Sequence, residues 1–444
     1  MKQIFSGLIV LGLARAMQAA EPPAHYAADA TNVVRLDAAV VNQFVVQMRS
    51  NNPALLAADA RLRAASDATN AVRTWDDPEF AFGGAIFSPR GMDPAQQGNL
   101  VYGLEQKLPL FGKAAAARRV AQSEAATEAS RAELEFQTRR RDLARTLFRA
   151  AYAERILDIG WQDLAWLDTM VVTMEERYRA GSATQIDVLR MQNERSKRVE
   201  QLRTDTLHRD HELLSFNRLL ARDLHAPLPK FDLPETARSV PYSPRLLDLA
   251  VRHEPKLRVM HREIEMAEAT VAATRKSRLP DVSGFIDGRQ YTGDGGFREG
   301  TFGVKLSLPW FNAGKYRSDL ARDRAKFEAA EQDAADYQLG VREDVHHLTV
   351  NIDAARREAL LYRDQILPRT RQALESAHAN WLAGRGMAFD VMEARRMLLE
   401  AQMQYARAVS EQYQWMAELV LCCGIGDFES LEMLSSEPVK PVNP

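Results

Sequence analysis

Leu108-Pro109-Leu110-Phe111-Gly112-Lys113 is answered far downstream by Leu308-Pro309-Trp310-Phe311, with Gly314-Lys315 close behind. Other markers repeat in the same order. Asn52-Pro53 and Glu254-Pro255 each open a helix, Pro78 and Pro280 each close one, and the two pairs share an offset of 202 residues. Gly181 followed by Asp187 pairs with Gly384 followed by Asp390. Each marker is weak alone, but their common order and offset identify an internal duplication.

The residues before each of these Leu-Pro steps change period. Leu100, Tyr102, Leu104 and Leu108 fall on one face, and Val101, Gly103, Glu105 and Lys107 on the other. In the second half Phe302, Val304, Leu306 and Leu308 oppose Thr301, Gly303, Lys305 and Ser307. A period of two is the signature of a strand. The alternation predicts strands at about 79–87, 99–108, 281–291 and 301–308, with the paired strands joined by loops rich in Gly, Pro and Asp, at Ser88–Gly98 and Thr292–Gly300.

Beyond Lys113 the pattern is helical. No proline occurs between Pro109 and Pro227, and the residues are largely Ala, Arg, Glu, Leu and Gln, all strong helix formers. Apolar positions recur at three and four through Ala121, Ala125, Ala129, Ala132, Phe136, Leu143, Leu147 and Ala150. A helix from Lys113 to about Tyr178 would run roughly 100 Å at about 1.5 Å per residue. Helices of that length bury a narrow seam against neighbours, as in coiled coils. Each half therefore reads helix, strand, strand, very long helix, turn, helix: a mainly α chain with a small β part. The expected boundaries are a first repeat at 21–223, a proline-rich linker at 224–244, a second repeat at 245–427 and a tail at 428–444.

Lys2, the apolar run Ile4 to Leu13 and the small residues Ala14, Ala16, Ala19 and Ala20 read as a secretory signal peptide over residues 1–20, with cleavage between Ala16 and Ala20. Ten apolar residues are too few to span about 30 Å of hydrocarbon as a helix, and no later run approaches the roughly 20 that would be needed. Lys and Arg number 58 against 60 Asp and Glu. Nucleic acid is therefore not an expected partner. The only cysteines, Cys422 and Cys423, are adjacent near the end. Adjacent cysteines rarely form an unstrained disulfide, so a buried or half-buried pair of thiols is expected. No cysteine follows the signal segment, so no lipid attachment is expected.

Four strands of about ten residues with one apolar face match the length of transmembrane β-strands. Four cannot close a barrel, and an open edge in lipid leaves backbone groups unsatisfied at several kcal/mol each. Either the strands form a small soluble sheet, or several chains pool them. Three chains would supply twelve.

The doubled order of Asn-Pro or Glu-Pro helix starts, Leu-Pro-x-Phe strand exits and Gly-x5-Asp turns resembles the TolC family of outer-membrane efflux channels over about residues 33–427. The resemblance implies a homotrimer with a twelve-stranded outer-membrane β-barrel, continued by a long periplasmic α-helical barrel. It implies passive conduction outward, supplied by a periplasmic adaptor (a membrane fusion protein) and an inner-membrane pump of the resistance-nodulation-division type. The linker and C-terminal tail would form a belt around the helical barrel. Asp76-Asp77-Pro78 and Leu-Pro-Leu-Phe-Gly-Lys look most like the branch that exports heavy metals and other cations. No cofactor is implied, and the chain is not expected to be an enzyme. A periplasmic coiled-coil scaffold or adaptor is the competing reading.

Gly181 and Gly384 mark the two tip turns, where glycine permits the positive φ that ends a helix. Asp187 and Asp390 lie six residues on, near the next helix start, where a negative charge suits the dipole. Helix capping alone accounts for them chemically. The family resemblance adds more: Asp390 and Glu393, three apart on one helix face, match acidic pore rings, and Asp187 matches a position tying the two hairpins together. Trp381 stands where the family's gate has Tyr. The family's gate Arg falls on Gly386 here, with Arg385 one residue earlier. His208 with His211, and His346-His347, lack a nearby cysteine or a plain carboxylate triad and lie on charged helix surfaces, so no metal site is expected from them.

Overall fold

The computed structural model describes residues 33–85, 99–291, 295–426, 428 and 430. The signal segment, the tip of the loop at 86–98, residues 292–294 and nearly all of the tail lie outside the described residues.

A short strand β1 (Val33–Arg35) leads into α1 (Ala38–Asn51) and α2 (Pro53–Ala71). Strands β2 (Glu79–Ala85) and β3 (Asn99–Leu108) follow, then α3 (Lys113–Arg179) and α4 (Gln185–Leu219). After β4 (Lys230–Asp232) the order repeats as α5 (Pro244–His253), α6 (Pro255–Ser277), β5 (Val282–Tyr291), β6 (Phe297–Leu306), α7 (Ala313–Leu361), α8 (Leu367–Leu382) and α9 (Ala388–Cys422).

α3 has 67 residues without a break, which is about 100 Å of helix. Its counterpart α7–α8 is interrupted by a five-residue π turn at Tyr362–Ile366, where the Leu367 N–H donates to the Tyr362 carbonyl. Pro368 explains the interruption. Its ring has no N–H and collides with the carbonyl four residues back, so the preceding turn widens. Two boundaries differ from the sequence reading. α2 stops at Ala71, seven residues before Pro78, where Val72 turns to extended φ/ψ; the restriction that Pro78 imposes reaches only Asp77. β6 begins at Phe297, four residues before Thr301.

Duplication is visible at the helix starts. The buried Asn52 accepts from the Ala54 N–H at 2.9 Å and donates to the Leu219 carbonyl at 2.7 Å. The buried Glu254, its counterpart, caps α6 through the Leu257 N–H and accepts from the Tyr337 hydroxyl at 3.1 Å. Each cap satisfies helix-end donors that would otherwise be orphaned.

The main core lies midway along the long helices. Phe44, Phe216 and Phe231 meet edge to face, with ring centroids 5.0 to 6.0 Å apart. β1 and β4 pair in parallel over this cluster. The proline-rich linker is fixed by Gln412, fully buried on α9, whose side-chain amide bonds both the N–H and the carbonyl of Ala237 at 3.1 Å. Cys422 is half-buried and Cys423 buried, both as free thiols. Burial pushes the Cys423 thiol up to about 12.

Candidate functional site: a two-faced sheet and the hairpin tips

The four long strands form one antiparallel sheet in the order β2-β3-β5-β6. Its register sorts side chains by face. Phe80, Leu104, Ile286 and Phe302 stand in one cross-strand row. Phe82, Val304 and Leu306 extend the same face, and all seven side chains are exposed, Phe302 by 86%. The opposite face carries Glu79, Glu105, Lys107, Asp287, Arg289, Glu299 and Lys305. There Lys305 pairs with Glu105 across the intervening strand, and Arg289 with Glu299 at 2.9 Å.

Two glycines hold the register. A Cβ at Gly288 would sit 2.6 Å from the Tyr102 ring, and one at Gly303 2.6 Å from the Phe285 ring. Each aromatic lies against the glycine directly opposite it, so a one-residue slip would both lose these contacts and reverse the faces. Among the described residues, neither β2 nor β6 has a partner on its outer edge.

At the other end α3–α4 and α8–α9 each close on a glycine turn. Gly181 and Gly384 both have φ +72°. The Ser182 N–H reaches back to the Arg177 carbonyl, and the Arg385 N–H to the Asn380 carbonyl, each at 2.9 Å. That six-to-one bond satisfies a helix-end carbonyl, as in a Schellman turn. Asp187 then bonds within its own turn, accepting from the Thr184 hydroxyl at 2.6 Å. Asp390 likewise accepts from the Met387 N–H at 3.2 Å. Glu393 and Arg385 are exposed.

Within this chain the tie between hairpins therefore runs through other groups. Trp381 is 5% exposed and packs with Leu167, Met170, Met174, Val188, Met191 and Val391. The Arg177 guanidinium lies 4.0 Å above its indole, an arrangement that attracts cation to ring face. Gly386 has a physical reason: a Cβ there would approach the Trp381 nitrogen at 3.2 Å, so a larger residue crowds the tryptophan's backbone.

Sequence reasoning missed Asp163. This α3 carboxylate accepts from Arg198 Nε on α4 and Arg395 Nε on α9, both at 2.9 Å, with its side chain 6% exposed. Arg395 also covers Trp166 at 5.2 Å. The three side chains line a groove of about 330 Å³ that Glu393, Phe389 and Met392 share. No motif marks Asp163; the available signal is an acid on an otherwise apolar helical seam. Arg195 pairs with Asp168 one turn nearer the tip. Among the described residues no group of three or more His, Cys, Asp or Glu side chains is placed to hold a metal ion. His346 instead meets Tyr242 edge-on at 5.3 Å, and His347 meets Trp415 at 6.2 Å.

The fold is shared with solved channel proteins. VceC of Vibrio cholerae aligns with TM-score 0.73 at 18% identity, covering 88% of this chain and 97% of that one. CmeC of Campylobacter jejuni aligns with TM-score 0.72 at 16% identity, covering 89% of each. In sequence, the cobalt-zinc-cadmium resistance protein CzcC of Cupriavidus metallidurans is 21% identical over 172 residues, which is 39% of this chain and 40% of that protein's length. The profile of the family described as "Outer membrane efflux protein" matches twice, at residues 44–221 and 246–424. Two matches that together cover most of the chain place it in a family of channel proteins, and the chain belongs to the outer membrane efflux protein family.

Proposed function

We propose that three copies of this chain form the outer-membrane duct of a tripartite exporter. The duct receives substrate from a periplasmic adaptor and an inner-membrane pump of the resistance-nodulation-division type, and releases it outside without an energy source of its own. The two-faced sheet carries this reading. Its apolar face suits lipid, its charged face suits water, and its two free edges suit pairing with copies of themselves. Three sheets of four strands make an even-numbered barrel, which removes the edges that lipid does not tolerate. The long helices then continue the wall into the periplasm.

The repeats at 21–223 and 245–427, joined by the linker 224–244, are the two halves of each protomer's wall. Gly181 and Gly384 form its periplasmic rim, with Trp381 and Arg385 beside them. Asp390 and Glu393 would each recur three times around the axis there, and Asp187 stands at the rim of the first hairpin. A ring of carboxylates concentrates cations at a pore mouth, which supports a metal cation as cargo. The relative named for cobalt, zinc and cadmium resistance supports the same cargo class.

Mass measurement in mild detergent tests the assembly, and conductance in planar bilayers tests the duct. Trimers that conduct are expected. A monodisperse monomer that needs no detergent would favour a periplasmic scaffold instead. Growth of a deletion strain across divalent metals and drugs identifies the cargo.

A further inference from the structure

Where the strands give way to helices, each half of the duplication displays large aromatic side chains to solvent. Phe111 is 49% exposed in the first half; Trp310 and Phe311 are 58% and 79% exposed in the second. Trp75, just before β2, is exposed at the same level of the fold. None of these rings is drawn into the core.

Phe111 is held there under strain. Its φ is +59°, in the left-handed region that a bulky side chain disfavours. The turn is fastened by cations that cross between the halves. Lys113 donates to the Leu279 carbonyl at 2.6 Å and to Asp281 at 2.9 Å. Lys276 donates to the Gly112 carbonyl at 3.1 Å. A glycine at 111 would relieve the strain, so a ring kept in this conformation points to a use outside the core.

Leu110 and Leu308, close in sequence to these rings, are exposed as well, and so is Leu306 at the end of the apolar sheet face. The patch is also rimmed by charge. Among the described residues Arg73, Arg278 and Lys315 are exposed and have no carboxylate partner. Aromatic rings beside cations that lack a carboxylate partner, at the boundary of an apolar band, match the chemistry of a phospholipid headgroup layer. The rings favour the ester and headgroup region, and the cations favour phosphate.

We propose that this strand–helix junction seats in the headgroup layer of the periplasmic leaflet and binds anionic phospholipid. Trp75, Phe111, Trp310 and Phe311 enter the layer, and Arg73, Arg278 and Lys315 contact its phosphates. The proposal rests on the duct reading, because that reading places the sheet in the membrane. It goes further by naming the lipid and the cations that select it.

Trp75 and Trp310 make the test direct, since the other four tryptophans, Trp161, Trp166, Trp381 and Trp415, lie on the long helices. The trimer is reconstituted in vesicles of phosphatidylcholine brominated either near the ester level or near the chain ends. Ester-level bromine should quench wild-type fluorescence more than chain-end bromine, and the variant W75F/W310F should lose most of that quenching. In an equimolar mixture of phosphatidylcholine and phosphatidylglycerol, brominating only the phosphatidylglycerol should strengthen the quenching. Each of Arg73→Gln, Arg278→Gln and Lys315→Gln should weaken that preference about fivefold. Quenching that survives in W75F/W310F, or that is stronger from the chain ends, overturns the depth assignment. Equal quenching by the two headgroups overturns the preference for anionic phospholipid. Trimers that conduct normally yet show either result would sink this inference while leaving the duct reading intact.

Discussion

Replacing Asp163 with Asn should loosen the second hairpin from the first. Asp163 sits on α3 and holds Arg198 of α4 and Arg395 of α9 through two bonds of 2.9 Å. An Asn offers one acceptor oxygen where the carboxylate offers two, and its amide nitrogen would face a guanidinium donor. One Arg, itself largely buried at 16% exposure, then keeps its charge without a partner. Breaking a buried pair in this one-sided way costs about 3–5 kcal/mol. Because the guanidiniums retain some water contact, the lower end applies, about 3 kcal/mol. At roughly 1.4 kcal/mol per factor of ten, that shifts the balance between docked and undocked hairpins by on the order of a hundredfold per protomer. The assay is single-channel conductance in planar bilayers, with urea unfolding of the same trimers measured alongside. The variant should spend more time in high-conductance states and unfold at lower urea. A triple variant with Leu at 163, 198 and 395 is the control. Removing all three charges leaves no orphan, so its urea midpoint should return toward that of the wild type. Wild-type conductance and an unchanged midpoint in Asp163→Asn would refute the reasoning.

The double change Asp390→Asn with Glu393→Gln should keep the trimer intact, since Asn still caps α9, yet reduce cation selectivity and block by multivalent cations added from the periplasmic side. If those carboxylates act only as caps, reversal potentials will not move. Gly384→Ala has open space around its Cβ but must adopt φ +72°, so it should cost about 1 kcal/mol of stability, read from a urea midpoint, with Gly181→Ala matching it. Burial raises the Glu254 carboxyl above its ordinary range despite the hydrogen bonds it accepts. The folded protein then holds that proton where the unfolded chain has released it. Stability from this group is full below the ordinary glutamate range, about 4.3, and is lost as pH rises through the raised value. Glu254→Gln should flatten that part of the stability profile, and an unchanged pH slope would count against the assignment.

The duplication, the strand faces and the long first helix were legible because each rests on local pattern. Period-two alternation at Leu100–Leu108 needs no tertiary information, and neither does an uninterrupted run of helix formers after Lys113. The tip turns were legible for the same reason, since glycine at positive φ is a local demand. What escaped was set by contacts distant in sequence. Asp163 meets Arg395 across 232 residues, and no spacing rule reaches that far. Arg177 reads as one more cation in the last turn of α3 until the fold sets Trp381 beneath it. The π turn was in principle available from Pro368, but a proline can kink a helix, end it or sit in its first turn, and only the structure distinguishes these.

That π turn separates the two halves of an otherwise matched repeat. α3 runs straight to its tip, whereas α7 widens at Tyr362–Ile366 before α8 continues to Leu382. A widened turn has longer, less regular hydrogen bonds, so it is the place where the second hairpin bends at least cost. The first hairpin has no equivalent. The two arms of the chain therefore differ: only the second carries an irregular turn at which a bend would cost least. Two contacts would have to release for such a bend. They are the Arg177–Trp381 stack at the tip and the Asp163 clasp farther up. Both join α3 or α4 to α8 or α9, below the bend and across the boundary between the halves. The acidic pair Asp390 and Glu393 is carried on the same arm, so if these carboxylates line the proposed mouth, a bend there would change its width and the spacing of its charges together. Asp163 is therefore expected to affect conduction through where its two arginines sit, one on each hairpin, although its own carboxylate is buried.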